Sequence, residues 1–386
     1  MTSPNQREPH AFSFHGRPTQ VACPIGYETH NVVTRDGFEL SLFRSHPLRP
    51  RSLEAPPTTP PILLIPGLGS NRFTFGLHRR DGLAPVLNAL GRDVWLAELR
   101  GSRTSRFLGA GRPRIDIDAK LESDLPALIA YIRKTTGTAT VDLVGHSLGG
   151  LLSLLYAGGP DGDQVGRVAT VATPGHFKGL GGLIESAPMY GSISRGIESF
   201  IGGVERLGVS ALARLGGPLP HLGAMSRHFL PGACDAATRR RYLDHAVEDV
   251  HGTELAQLVR WVREGEIMDR EGRSLEPRLT DVDASVLVIA ATRDKVVPEA
   301  ATLAAYTKVG SADKRLMRIS RAHGASRDYA HADLLLAPSA RTDVLEPLAD
   351  WLEGRARAQP SRTPAETAPA SAWNLRRRLE GSGSGR

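Results

Sequence analysis

Short, largely apolar runs set off by turn-forming residues constrain this chain more than any other feature. Ile62–Ile65 is wholly apolar and follows Pro60 and Pro61, and residues 286–290 (Val-Leu-Val-Ile-Ala) are wholly apolar too. A strand with one wet face alternates apolar and polar residues, so an unbroken apolar run of four or five reads as a strand covered on both faces. Residues 93–96, 141–144, 168–172 and 315–319 read as further strands. Helix-length amphipathic segments separate them. Residues 118–134 place Leu121, Leu125, Leu128, Ile129 and Ile132 on one face, and Leu148–Ala157, 299–309 and 341–353 follow later. Strands alternating with helices imply an α/β fold, a mostly parallel central sheet flanked by helices on both faces. Ahead of it, residues 27–34 and 38–44 alternate around Asp36-Gly37, which predicts a hairpin.

The alternation stops after Thr173-Pro174 for roughly a hundred residues. Residues 175–280 are glycine-rich at first and then helical in pattern, without a clear β run, and read as a helical cap inserted into the sheet domain. The predicted organisation is a flexible arm over 1–20, a core over 21–174 and 281–354, the cap over 175–280, and a disordered basic tail over 355–386.

The formal charge of +7 tempts a nucleic-acid or membrane reading. Its distribution argues otherwise. The tail carries seven basic residues against two acidic ones, and residues 21–354 hold a net charge of only +1. No nucleic-acid module, phosphate loop or aromatic-interleaved basic stretch is present, so a nucleic-acid partner is excluded. Residues 373–379 (Trp-Asn-Leu-Arg-Arg-Arg-Leu) read as a solvated tail, the alternative being a short basic contact with acidic lipid. The two cysteines, Cys23 and Cys234, cannot build a disulfide framework. The first twenty residues lack the apolar core of a secretory signal, and no apolar run nears the ~18 residues of a membrane span. A cytoplasmic protein is expected. His221, His228, Cys234, His245 and His251 in the cap match no familiar metal-ligand spacing, and no metal or cofactor is expected.

Residues 145–149 read Gly-His-Ser-Leu-Gly, a G-x-S-x-G pattern expected about 0.3 times by chance at this composition. Context carries the weight: the pattern leaves one predicted strand and opens a predicted helix. A sharp strand-to-helix turn exposes the serine oxygen, glycines flank it because side chains would clash, and the helix N-terminus favours developing negative charge. Ser147 is thus the candidate nucleophile. A base and an orienting acid should follow in the order acid, then histidine. Asp294 leaves the strand over 286–290 and is favoured over Asp281 and Asp283, which precede it. Two histidines, His323 and His331, follow the last strand. Two backbone N–H donors are needed for an oxyanion, and Leu148 and Leu68, the latter in Pro66-Gly67-Leu68-Gly69, are the candidates.

At this point the chain resembles the α/β-hydrolase superfamily, and within it acid-lipase-like and polyhydroxyalkanoate-synthase-like members. The similar segments are 32–38 (Val-Val-Thr-Arg-Asp-Gly-Phe), 65–69 (Ile-Pro-Gly-Leu-Gly), 93–101 (Asp-Val-Trp-Leu-Ala-Glu-Leu-Arg-Gly), 124–129, 144–149, 292–298 (Thr-Arg-Asp-Lys-Val-Val-Pro) and 328–335 (Asp-Tyr-Ala-His-Ala-Asp-Leu-Leu). The resemblance selects His331 over His323 and implies a triad of Ser147, Asp294 and His331. It implies a serine esterase or lipase acting on a small-molecule or lipid-like ester through an acyl-enzyme. Two departures matter. Lipases of this type carry His-Gly where this chain has Pro66-Gly67, and the polymer synthases use cysteine where this chain has Ser147. A serine ester is more readily hydrolysed than passed on, which favours hydrolysis over an acyltransferase or thioesterase role. A non-catalytic lipid- or polymer-granule protein on the same scaffold is the remaining alternative.

Overall fold

The computed structural model of the protein describes residues 27–45, 59–77, 82–178, 198–200, 202–208 and 227–355. The readings made for residues 1–20, for the tail from 356 onward and for 179–197, 201 and 209–226 of the insertion, His221 among them, lie outside these residues.

Strands β1 (Tyr27–Val33) and β2 (Phe38–Ser45) form the expected hairpin, turning at Gly37 with φ +90°. Next come β3 (Ile62–Ile65), β4 (Val94–Ala97), a short β5 (Arg106–Phe107), β6 (Val141–His146) and β7 (Val165–Val171). After the insertion β10 (Ser285–Ala291) and β11 (Lys314–Ile319) complete the sheet. In between, β8 (Arg206–Leu207) and β9 (Val250–His251) pair as a small antiparallel ribbon, where the sequence showed no β run. Two residues per strand are too few to make a visible period. The main sheet runs β1-β2-β4-β3-β6-β7-β10-β11, with β5 on the edge of β2. Every pairing from β4 to β11 along this path is parallel, and only those involving β2 are antiparallel.

The unbroken apolar runs are explained by the two core layers. Successive side chains of a strand point to opposite faces. Ile62 and Leu64 join one buried cluster with Leu83, Leu87, Leu348 and Trp351. Leu63 and Ile65 join the other, with Leu128, Ile132, Leu151 and Leu155. All four residues of β3 are fully buried, and truncating any one to alanine removes a side chain worth about 2–5 kcal/mol. Trp261, Leu275 and Leu279, which precede β10, belong to the second cluster.

Two of the predicted helices are interrupted, both for one reason. Residues 117–136 run as Ile117–Ala119, a π turn Lys120–Asp124 and a helix Leu125–Thr136. Residues 341–352 run as a π turn Arg341–Leu345 and a helix Glu346–Leu352. Pro126 and Pro347 stand at the junctions, and proline has no N–H to give to the preceding turn. The first π turn ends on Asp124, which is buried against the equally buried Arg100. Among the described residues no helix is long and apolar enough to cross a membrane.

Candidate active site

β6 ends at His146 and the helix Leu148–Ala157 starts with a single residue between them, so the reversal falls on Ser147, with φ +54° and ψ −122°. Left-handed backbone costs a non-glycine residue about 1–3 kcal/mol and persists only where the surroundings impose it. Here the strand end, the helix and the loop after β3 are packed backbone to backbone. A Cβ on Gly145 would lie 2.3 Å from Gly149 O, and one on Gly149 2.2 Å from Ile65 O. The turn is tied down by Ser147 N–H donating to Val171 O (2.8 Å) and by the Thr173 hydroxyl donating to Ser147 O (3.1 Å). Ser147 itself is only half-buried.

The strand ends β10 and β11 lead to the other candidates. Asp294 lies three residues beyond β10 and His331 in the segment beyond β11. Both are buried, and His331 Nδ1 meets Asp294 Oδ2 at 2.7 Å. A carboxylate only accepts, so Nδ1 carries the proton and Nε2 is left as the basic nitrogen. Asp294 Oδ1 accepts from the backbone N–H groups of Val296 (2.7 Å) and Val297 (2.9 Å), which leaves the carboxylate fully engaged. His323 is exposed and bonds Ser320 Oγ through Nδ1 (2.7 Å). Asp281 and Asp283 are exposed at the far end of β10.

The serine strand and the histidine segment are neighbours. His146, immediately before Ser147, donates from Nε2 to His331 O (3.3 Å), and the two imidazole rings lie 4.6 Å apart. Among the described residues no hydrogen bond joins Ser147 Oγ to His331. The loop after β3 closes over the serine: a Cβ on Gly67 would come within 3.0 Å of Ser147 Cβ. Leu68 follows it. Leu148 is the first residue of its helix, where the N–H has no partner within the helix. Neither of these two N–H groups is taken by a hydrogen bond among the described residues.

Three further residues bear on the site without having been given a role there from the sequence. His146 occupies the unspecified second position of the G-x-S-x-G pattern. Burial and the neighbouring His331 hold its pKa well below the usual imidazole range, so it is neutral, and its Nδ1 has no hydrogen-bond partner among the described residues. His228 packs edge-on against His331, with ring centroids 5.6 Å apart, and its carbonyl accepts from Ala332 N–H (2.9 Å). Asp333 is buried. Its Oδ2 accepts from Leu230 N–H (2.8 Å) and Ala330 N–H (3.1 Å), and burial pushes its pKa up to about 6. Asp333 was legible within residues 328–335; the two histidines sit in no pattern that marks them. Among the described residues, His228, Cys234, His245 and His251 form no group able to hold a metal ion.

Comparison with known proteins bears on the fold. A family profile described as alpha/beta hydrolase fold matches residues 60–195. A "probable lipase" of Schizosaccharomyces pombe is 32% identical over 149 residues, covering 36% of this chain and 32% of that protein. The gastric triacylglycerol lipase of Mus musculus is 31% identical over 140 residues, 34% of this chain and 35% of that one. The chain thus spans about a third of the length of the curated relatives it matches. Among solved structures, an esterase from Exiguobacterium antarcticum superposes with a TM-score of 0.57 at 15% identity, covering 84% of this chain and 100% of that one. A thermophilic esterase from Thermogutta terrifontis gives 0.56 at 15% identity, covering 86% and 100%. The sheet order, the strained serine turn and these matches lead to one conclusion: the chain has the alpha/beta-hydrolase fold, and residues 60–195 match the profile of that family.

Proposed function

We propose that the protein is a serine ester hydrolase, with Ser147 as nucleophile, His331 as general base and Asp294 as its orienting acid. The observation that carries the reading is the buried His331–Asp294 pair, 2.7 Å apart, beside the strained turn at Ser147. With Nδ1 fixed as donor to Asp294, Nε2 of His331 is the atom able to take the Ser147 proton as Oγ adds to the acyl carbon. The N–H groups of Leu68 and Leu148 receive the negative charge that develops on the carbonyl oxygen. His331 then returns the proton to the departing alcohol, and the acyl-Ser147 ester is cleared by a water activated at the same nitrogen. Asp294 stabilises the imidazolium at both stages. The relatives named as lipases favour an acyl ester with an apolar acyl portion as substrate. The insertion between β7 and β10, which lies against His331 through His228, is the proposed cap that shapes substrate choice.

The test is labelling with a fluorophosphonate probe followed by turnover of a chain-length panel of p-nitrophenyl esters. Wild-type protein is expected to label at Ser147 and hydrolyse the esters. Ser147→Ala is expected to lose both activities while keeping its fold. Near-normal turnover by Ser147→Ala would end the proposal.

A further inference from the structure

The loop that carries Leu68 is held from one side by the serine turn and from the other by residues 245–250 of the insertion. Glu248 N–H donates to Gly69 O (2.8 Å), Ser70 and Val247 form an antiparallel bridge, and Asn71 N–H donates to Ala246 O (3.2 Å). The backbone contact is close. Gly69 has φ +59°, and a Cβ there would lie 2.9 Å from Val250 Cγ2 and 3.3 Å from Glu248 O. On the other face Gly67 abuts Ser147 Cβ. The loop is therefore sandwiched, and the direction of the Leu68 N–H is set by where the sandwich holds it.

One side chain ties the inserted segment to this loop. Glu248 is buried, and its Oε1 accepts from Asn71 Nδ2 at 2.6 Å. Arg103, from the loop after β4, donates Nε to both carboxylate oxygens at 3.0 Å and reaches the carbonyls of His245 and Val247. Asn71 is equally buried. Its Nδ2 also donates to His245 O (2.8 Å), and its Oδ1 accepts from Phe73 N–H (3.0 Å). A buried carboxylate is costly unless its oxygens are paired. Here they are paired with one residue of the loop after β3 and one of the loop after β4. Burial raises the pKa of Glu248, and the bonds from Asn71 and Arg103 oppose that rise.

We propose that Glu248 is a positioning residue that fixes the oxyanion loop, so that the insertion supplies part of the geometry of the reaction as well as a cover for the substrate. The inference rests on the ester-hydrolase reading above. Glu248 touches neither Ser147 nor His331 in any hydrogen bond or ion pair. It acts through Gly69 and Asn71 on the aim of the Leu68 N–H. Loss of an aligned oxyanion donor lowers kcat by about 10²–10³-fold, and loosening one should give a fraction of that.

The experiment compares wild type, Glu248→Ala, Glu248→Gln and Glu248→Asp on one p-nitrophenyl ester. Thermal unfolding and inhibition by an alkyl boronic acid, which places an oxygen in the oxyanion site, are measured alongside. Glu248→Ala is expected to lower kcat about tenfold or more with KM within about twofold, and to weaken boronate binding in proportion. Glu248→Gln keeps an acceptor for Asn71 and should recover most of kcat. If Glu248→Ala does not fold, Glu248→Asp decides: the same charge drawn back by one methylene should lower kcat at unchanged KM. Unaltered kcat in a folded Ala or Asp variant, or an effect confined to KM, overturns the proposal. Wild-type protein that neither hydrolyses esters nor labels with the fluorophosphonate would instead overturn the reading on which it rests.

Discussion

The two halves of the candidate site are held by different physics. The serine side, formed by β3, β6 and the helix Leu148–Ala157, is held by shape, with glycines letting backbone pack against backbone at distances no side chain tolerates. The histidine side is held by hydrogen bonds from backbone N–H groups to buried carboxylates. Asp294 takes those of Val296 and Val297, and Asp333 takes those of Leu230 and Ala330. A region held by shape fails when an atom is added. One held by buried carboxylates fails when an acceptor is removed, and it responds to pH.

The largest expected effect breaks the histidine side at its acid. Asp294→Asn leaves the shape intact but removes the acceptor that fixes the proton on His331 Nδ1. Ester turnover should fall by about 10³–10⁴-fold with little change in thermal stability. A loss below tenfold would show that Asp294 does not set the imidazole. Next comes the shape-held side. Gly149→Ala forces a Cβ into the carbonyl of Ile65, with an expected cost of about 3 kcal/mol or more, read as a lowered denaturation midpoint. A fully stable and active Gly149→Ala protein would refute packing as what holds the turn.

The smallest effect concerns pH. Asp333 has a pKa of about 6 in the folded protein, above its ordinary value of 3.8. The native state thus binds the proton more tightly than the unfolded chain does. The stability linked to that proton is fully present below about pH 4 and is lost as pH rises through about 6, about 3 kcal/mol in all. Both N–H donors go to Oδ2, so the amide of Asp333→Asn can keep both bonds through its oxygen. The variant should match wild type near pH 4 and exceed it by that amount near pH 8. His146 works in the opposite direction. Its lowered pKa lends stability above about pH 6.5 that is lost as pH falls through the folded-state value, so the wild-type-minus-variant difference isolates Asp333. A difference that is flat with pH would contradict the raised pKa.

How much could be read beforehand follows the same division. The strands β3, β6 and β10 and the turn at Ser147 were legible because burial on both faces and backbone crowding each demand particular residue types over a few consecutive positions. The interrupted helix near residue 120 was partly legible in Pro126, which sits inside an otherwise unbroken apolar period. Asp294 was reached by its place after a strand. His331 could not be separated from His323 by spacing alone and needed the family resemblance. His146, His228 and Glu248 carried no local signal, since a single histidine or glutamate looks the same in sequence whether it faces water or a partner a hundred residues away.

The sequence by itself determined the α/β class, the core strands and the serine turn, because these depend on periodicity and on residues adjacent along the chain. Only the tertiary structure decided how closely His331 meets Asp294, what keeps Asp333 and His146 at shifted pKa values, and that residues 245–250 close over the loop after β3. Those outcomes depend on desolvation and on contacts such as Asn71 with Glu248, 177 positions apart, which form when the chain folds. Local pattern encodes which elements form, and the distances between them set the chemistry they can do.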